Sequence, residues 1–183
     1  MFDSEKFNGF MKTEIDDLLF EDIWNYWIFN ESDLHSAAYY YIRKYFERRQ
    51  SNSSLEAFVR CEPIMEDGTK PDLVIFQRYD PIYFIEIKMF NKPENLSDDK
   101  SLADLDKLKN YQRRYSTCKW GFFILVYDSD KMYSYTPYML KKDGYQNISI
   151  IPINMRRKED TARQRTGYED WRKQFDKFLQ RHF

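Results

Sequence analysis

The stretch PDLVIFQRYDPIYFIEIKM, from Pro71 to Met89, contains two short apolar runs separated by a polar turn. Runs rich in β-branched and aromatic residues, bounded by Pro and Asp, are typical of β-strands. The four residues 78–81 (Arg-Tyr-Asp-Pro) fit the connection of a hairpin. We therefore expect two adjacent antiparallel strands, with an acid before the first and two charged residues inside the second.

Glu86 and Lys88 are the charged residues of the second run. Because successive side chains of a strand point to opposite faces, both share a face with Phe84, while Ile85 and Ile87 point to the other. A solvated strand face with an intrastrand ion pair would account for the two charges. Their apolar neighbours favour a functional site instead, since charged groups are costly to bury among them.

The composition limits the class of protein. With 183 residues, 42% hydrophobic and 32% charged, the chain is expected to form one soluble globular domain covering 1–183. Its net charge of −1 excludes a polycation, so any contact with nucleic acid must come from local basic patches. No apolar run is long enough to span a membrane, and no membrane partner is expected.

Cysteine and histidine usage argues against a zinc site. Cys61 and Cys118 lack the CxxC spacing, and His35 and His182 complete no Cys/His cluster with them. Both cysteines are therefore expected to be reduced, in a protein of the cytoplasm.

Hydrophobic periodicity predicts the remaining elements. Helices are expected over 12–29, 31–49, about 98–115 and about 166–183, and strands over 57–64, 73–76, 83–89, 121–127, 133–138 and 148–154. Pro137 and Pro152 favour sheet edges for the last two strands, and a charged linker covers 156–165. This order predicts an α/β domain, in which a central mixed sheet is flanked by helices, with extra N- and C-terminal helices.

The helix predicted over 31–49 has an acid at the start of its buried stripe. Glu31 shares the stripe with Leu34 and His35, after Asn30 interrupts the preceding helix and Ser32 offers a cap. Two interpretations of Glu31 remain open, a functional acid or an acid that merely favours the positive end of the helix dipole. For His35 we favour a hydrogen-bonded interior residue over a ligand.

Asp72 and Glu86 are expected to lie side by side, because the start of one hairpin strand faces the middle of the other. Two close carboxylates repel each other unless a cation or a proton lies between them. Mg²⁺ suits such oxygen ligands and usually binds one or two carboxylates together with water and substrate phosphate. Lys88 can reach the same point. A site that holds a metal and an amine beside a phosphodiester is suited to hydrolysis of that bond, and we therefore expect a hydrolytic site here.

Pro71-Asp72 and Glu86-Ile87-Lys88, after a helix bearing Glu31, resemble the motif of the PD-(D/E)XK nuclease superfamily. That superfamily includes restriction endonucleases, Holliday junction resolvases and many phage and repair exonucleases. The resemblance covers about 31–127 and implies a restriction-endonuclease-like core with the element order αβββαβ.

The resemblance also implies a role for each motif residue. Asp72 and Glu86 would bind the metal, Mg²⁺ or Mn²⁺, with the backbone carbonyl of Ile87 as a neighbouring ligand. Lys88 would assist the attacking water. Glu31 would complete or support the metal shell.

A later motif of the exonuclease branches, Gln-Leu-x-x-Tyr, is met only in part. Lys107 replaces its Gln, while Leu108 and Tyr111 agree. Three basic patches are candidates for nucleic-acid contact, although solvated faces are the more common explanation: Arg43, Lys44, Arg48 and Arg49; Lys107, Lys109, Arg113 and Arg114; Arg156, Arg157 and Lys158.

The function implied by the resemblance is hydrolysis of phosphodiester bonds by direct attack of water. DNA is the expected substrate because most members of the superfamily cut DNA. A homodimer is an option, since dimers are common among members that cut both strands. The alternative is a non-catalytic nucleic-acid-binding or assembly module that keeps the nuclease fold.

Overall fold

The structure, a computed structural model, describes residues 2–25, 27–49, 57–90, 98–127, 145 and 147–155. The elements in chain order are α1 (Ser4–Thr13), α2 (Ile15–Trp24), α3 (Glu31–Arg49), β1 (Ala57–Cys61), β2 (Leu73–Gln77), β3 (Asp80–Phe90), α4 (Asp98–Arg114), β4 (Trp120–Tyr127) and β5 (Ile148–Asn154). The predicted α/β class is confirmed. The strand predicted over 133–138, the linker over 156–165 with its basic patch, and the helix over 166–183 lie outside the described residues.

The five described strands form one mixed sheet in the order β1-β2-β3-β4-β5. The first three strands are antiparallel neighbours, and β3, β4 and β5 run parallel. The parallel step from β3 to β4 needs a crossover, which contains α4. In this order β5 is a terminal strand, as expected from Pro152, because proline cannot donate a hydrogen bond to a neighbouring strand.

Helices cover both faces of the sheet. On one face, α1, α2 and α3 pack against a buried cluster that includes Ile85 and Ile87 of β3. On the other, Leu105, Leu108 and Tyr111 of α4 pack against Phe84 and its neighbours. The predicted alternation of β3 is therefore confirmed, and Glu86 lies on the α4 side of the sheet.

The N-terminal region differs from the single helix predicted over 12–29. It forms α1 and α2, which meet at Glu14. Asp3 caps α1 by accepting a hydrogen bond from the Lys6 N–H, and this cap starts the helix eight residues before the predicted boundary, 12 − 4 = 8. Trp27, which falls inside the predicted helix, lies beyond α2 and is 70% exposed.

The cap of α3 is Asn30, and the expectation that Ser32 caps this helix is wrong. The Asp33 N–H donates to Asn30 Oδ1 at 2.9 Å, and Asp33 Oδ2 accepts a hydrogen bond from the Phe29 N–H at 3.0 Å. This reciprocal pairing resembles a capping box and satisfies two backbone donors at once. The predicted bounds of 31–49 are confirmed, and Glu31 is the first residue of the helix.

The hairpin connection is shorter than the four residues predicted. Gln77 pairs with Asp80, so only Arg78 and Tyr79 form the turn, and Arg78 has a left-handed φ of 62°. β1 ends at Cys61, three residues before the predicted end, 64 − 61 = 3. Glu62 follows with a φ of 46°, a conformation that interrupts a strand.

Within the described ranges, none of the helices combines the length and the apolar character needed to cross a membrane. Cys61 and Cys118 are free thiols.

Candidate active site

Asp72 lies immediately before β2, next to the middle of β3. Leu73 pairs with Ile85, and one further step of this antiparallel register places Asp72 opposite Glu86. The Glu62 N–H donates to the Asp72 carbonyl at 2.8 Å, and Asp72 Oδ2 accepts a hydrogen bond from the Ile87 N–H at 2.7 Å. The hairpin thus brings the two acids of neighbouring strands together.

Glu86 is a buried acid, with only 2% of its surface exposed. Its Oε2 lies 3.3 Å from Lys107 Nζ. Its Oε1 is also buried and makes no hydrogen bond with any residue that the structure describes. Burial first, and the nearby charge of Asp72 second, raise the pKa of Glu86 to about 8. Without an additional cation, this carboxyl group retains a proton at neutral pH.

The pKa of Asp72 is also raised. Burial raises its pKa, while the hydrogen bond from the Ile87 N–H and the proximity of His35 and Lys107 oppose the rise. Desolvation therefore disfavours the charged forms of both Asp72 and Glu86. A divalent cation would relieve both penalties, since it favours two ionised carboxylates at one point.

Lys107 joins this acid pair from α4. Its Nζ lies 2.6 Å from Asp104 Oδ1 as well as 3.3 Å from Glu86 Oε2. Burial lowers the pKa of Lys107, but its contacts with Asp104 and Glu86 outweigh burial and raise it. Asp104 was not among the site residues predicted from the sequence, although an acid three residues before a lysine on a helix is a recognisable pairing signal.

Lys88 is paired with Glu31, next to the acid pair along β3. Lys88 Nζ lies 3.3 Å from Glu31 Oε1 and 3.2 Å from Oε2. Glu31 Oε2 also accepts a hydrogen bond from the Met89 N–H at 3.1 Å. The metal-ligand role implied for Glu31 and the catalytic role of Lys88 stay predictions.

One edge of β3 becomes free where β2 begins. Beyond Ile85, no described strand pairs with β3 on the β2 side. Two carboxylates accept hydrogen bonds from the backbone donors along this edge instead, Asp72 from the Ile87 N–H and Glu31 from the Met89 N–H. Because the N–H and C=O of one strand residue point to the same side, the Ile87 carbonyl faces this edge, beside Asp72.

His35, which was not predicted as a site residue, lies beside Asp72. Its Nε2 lies 3.6 Å from Asp72 Oδ2, which is too long for a hydrogen bond. This buried nitrogen makes no hydrogen bond within the described part of the chain, contrary to the interior residue expected. Its position one helical turn after Glu31 was the available signal.

The residues present fit a divalent metal held by few protein ligands. Among the described residues, no group of three or more His, Cys, Asp or Glu side chains could hold a metal ion. Asp72 and Glu86, with the Ile87 carbonyl, match the sparser ligand set that Mg²⁺ often uses with water and phosphate. The buried Glu86 Oε1, without a described partner, is the atom that such a cation would satisfy.

The other predicted nucleic-acid contacts on α4 lie outside this cluster. Lys109 Nζ is 4.6 Å from the centre of the Tyr145 ring, and Arg114 pairs with Asp67. Arg113 is exposed in the last turn of the helix. Their contact with nucleic acid stays a prediction.

The basic patch on α3 is partly neutralised. Arg43 Nε and Lys44 Nζ each lie 2.8 Å from an oxygen of Glu47. Such exposed pairs are common on soluble helices and do not by themselves indicate a binding surface.

The site therefore combines the buried Glu86 and the partly buried Asp72 with two lysines that come from different elements. Lys107 comes from α4 and Lys88 from β3 itself. No family model, no curated protein and no solved structure matches this chain.

Proposed function

We propose that the protein is a divalent-metal-dependent nuclease of the PD-(D/E)XK type, which hydrolyses phosphodiester bonds of DNA with Mg²⁺ or Mn²⁺. The observation that carries the proposal is the acid pair on neighbouring strands. Asp72 faces Glu86 by register, and Glu86 is buried with one oxygen that no described residue satisfies. Acids with strongly raised pKa values cluster at functional sites, and a bound ion is one explanation of a buried polar atom without a partner.

The order of elements supports a restriction-endonuclease-like core. From α3 to β4 the chain runs helix, three strands, helix, strand. The first three strands are antiparallel and β4 is parallel to β3. This is the αβββαβ order that the resemblance implies, and it brings the motif residues to one edge of β3.

Asp72, Glu86 and the Ile87 carbonyl would hold the metal. When bound, the metal polarises the phosphoryl oxygen and lowers the pKa of its bound water. Asp72 also accepts a hydrogen bond from the Ile87 N–H, and this bond fixes its carboxylate against β3. This attachment holds the acid in place before any ligand binds.

Lys88 supplies a positive charge next to the acid pair. Its ammonium group has three donors, and it contacts the two oxygens of Glu31 on one side. A remaining donor can orient the attacking water or stabilise charge that builds on the phosphoryl oxygens. Lys107 is anchored in the same way by Asp104 and Glu86 and can direct its third donor to a substrate phosphate.

Cleavage of a nucleic-acid panel tests the proposal. Linear and circular duplex DNA, single-stranded DNA, branched DNA and RNA would be incubated with Mg²⁺, Mn²⁺ or EDTA. We expect cutting of at least one DNA substrate with metal, none with EDTA, and strongly reduced cutting by Lys88→Ala. Lys6→Ala, which removes a lysine from an exposed ion pair on α1, is the matched control.

A non-catalytic binding or assembly module is the second candidate. The observation in its favour is that both lysines of the site already contact acids of the chain. Binding of a nucleic acid without cutting under any metal condition would support this module and contradict the nuclease.

A further inference from the structure

Glu31 contacts β3 through both carboxylate oxygens. Oε1 lies 3.3 Å from Lys88 Nζ, and Oε2 lies 3.2 Å from the same nitrogen. Oε2 also accepts the hydrogen bond from the Met89 N–H at 3.1 Å. The Glu31 side chain thus contacts β3 at two points, the Met89 N–H and the ammonium group of the adjacent Lys88.

The local structure explains why Glu31 points to this edge. Asn30 caps α3, so Glu31 occupies the first turn, where the helix meets β3. No described strand pairs with this edge of β3 beyond Ile85, so the buried Met89 needs another acceptor for its N–H. Glu31 provides that acceptor and reaches Lys88 in the same conformation.

The neighbouring acids Asp72 and Glu86 differ from Glu31 in the partners of their carboxylate oxygens. Glu86 has a buried oxygen that no described residue satisfies, and Asp72 sits opposite Glu86 by register. Both oxygens of Glu31 already have donors from β3. Ligation of a metal by Glu31 would require these contacts to break or to be shared.

We infer that Glu31 is a positioning residue for Lys88 and not a metal ligand. A lysine side chain has a flexible four-carbon stem, so its ammonium group needs a fixed partner to adopt one place. The Glu31 carboxylate is that partner, and the Met89 N–H fixes the carboxylate in turn. This inference rests on the proposed nuclease function.

A double-mutant cycle tests the inference. Glu31→Gln, Lys88→Ala and the double variant would be compared for kcat, KM and the Kd of Mn²⁺, measured by calorimetry without nucleic acid. Gln keeps the length of the side chain and an acceptor for the Met89 N–H. Asp72→Asn is the reference for a lost metal ligand.

We expect Glu31→Gln to lower kcat about 10-fold and to leave KM and the Kd of Mn²⁺ within about 2-fold. In the Lys88→Ala background, the same change should alter kcat by less than about 2-fold, because its target is already absent. Glu31→Asp, which keeps the charge but is too short to reach both donors, should show the same kcat effect with unchanged Mn²⁺ affinity. It provides a second test if the Gln variant folds poorly.

Three results would overturn the inference. A Kd for Mn²⁺ that weakens about 10-fold or more in Glu31→Gln, as in Asp72→Asn, would make Glu31 a ligand and leave the nuclease proposal intact. Unchanged kcat in both Glu31 variants, or full additivity with Lys88→Ala, would remove the positioning role. No Mn²⁺ binding and no cleavage by the unmodified protein would overturn the nuclease proposal and this inference with it.

Discussion

Two ion pairs on β3 have similar distances and very different surroundings. Glu86 Oε2 lies 3.3 Å from Lys107 Nζ, and Glu31 Oε2 lies 3.2 Å from Lys88 Nζ. The Glu86 side chain is 3% exposed, whereas Lys88 and Glu31 are 32% and 39% exposed. Burial and the charge of Asp72 raise the pKa of Glu86 to about 8 although Lys107 is in contact. Contact with a lysine therefore does not by itself hold the pKa of a buried acid at its ordinary value.

The two pairs therefore have different physical roles. In the Glu86–Lys107 pair only the acid is buried, and its desolvation makes the charge state of Glu86 depend on which cation is present. In the partly exposed pair, solvent screening limits the contribution to folding to about 0–1 kcal/mol, so its main consequence is the placement of Lys88. Four substitutions distinguish a site that depends on the charge of its residues from a site that depends on their position.

Removal of the charge at Asp72 is expected to have the largest effect. Asp72→Asn keeps an acceptor for the Ile87 N–H but lacks the carboxylate that would bind the metal. We expect no measurable Mn²⁺ binding and a fall in cleavage rate of about 10³-fold or more, with an unchanged fold by circular dichroism. Asp80→Asn, at the exposed start of β3, is the control and should behave like the unmodified protein. Full cleavage by Asp72→Asn would rule out this site.

Removal of the amine at Lys88 should affect turnover and spare the metal. Lys88→Ala is expected to lower kcat about 10²-fold and to leave the Kd of Mn²⁺ unchanged, because Lys88 contacts Glu31 rather than the acid pair in the structure. Single-turnover kinetics and calorimetry would measure the two quantities separately. If Lys88→Ala lost as much Mn²⁺ affinity as Asp72→Asn, Lys88 would contribute to metal binding and not only to turnover.

The buried acid predicts a pH-dependent stability of the metal-free protein. The folded-state pKa of Glu86, about 8, lies above its ordinary value of 4.5, so the folded state binds more protons than the unfolded state between these values. This contribution is fully present below pH 4.5 and is lost as the pH rises through about 8. Glu86→Gln, which does not titrate, should match the unmodified protein at low pH and melt at a higher temperature above pH 8.

Thermal unfolding in EDTA at about pH 5 and about pH 9 would measure this difference, which we expect to reach about 5 °C or more at the higher pH. Comparison at each pH cancels the groups that titrate in both proteins. A difference that does not grow with pH would show that Glu86 is not held neutral by its surroundings.

A basic residue outside both pairs should have the smallest effect. Arg113 is exposed on α4 and contacts neither acid of the site in the described structure. Arg113→Ala is expected to weaken DNA binding a few-fold and to reduce the slope of log K against log salt by about one, without changing kcat. Titration of binding at several salt concentrations would measure the slope. An unchanged slope would show that this end of α4 does not contact the phosphates.

The sequence was most informative where neighbouring residues decide the structure. The bounds of α3 and the faces of β3 follow from hydrophobic periodicity, and the strands β2 and β4 follow from short apolar runs. Both signals depend on local geometry. The predictions failed at caps and turns. Asp3 and Asn30 start helices through single side-chain hydrogen bonds, and such contacts leave only a weak signal in the periodicity.

For the candidate site, the sequence alone determined which charged residues lie on adjacent strands and on which face they point. The hairpin brings Asp72 to Glu86 because only a tight turn separates their strands. Tertiary structure alone decided how deeply each charge is buried and which partner it meets. Lys107 reaches Glu86 from α4, and Glu31 reaches Lys88 across 57 residues of sequence. Periodicity specifies the side of an element, but burial and partners depend on how elements from distant parts of the chain pack together.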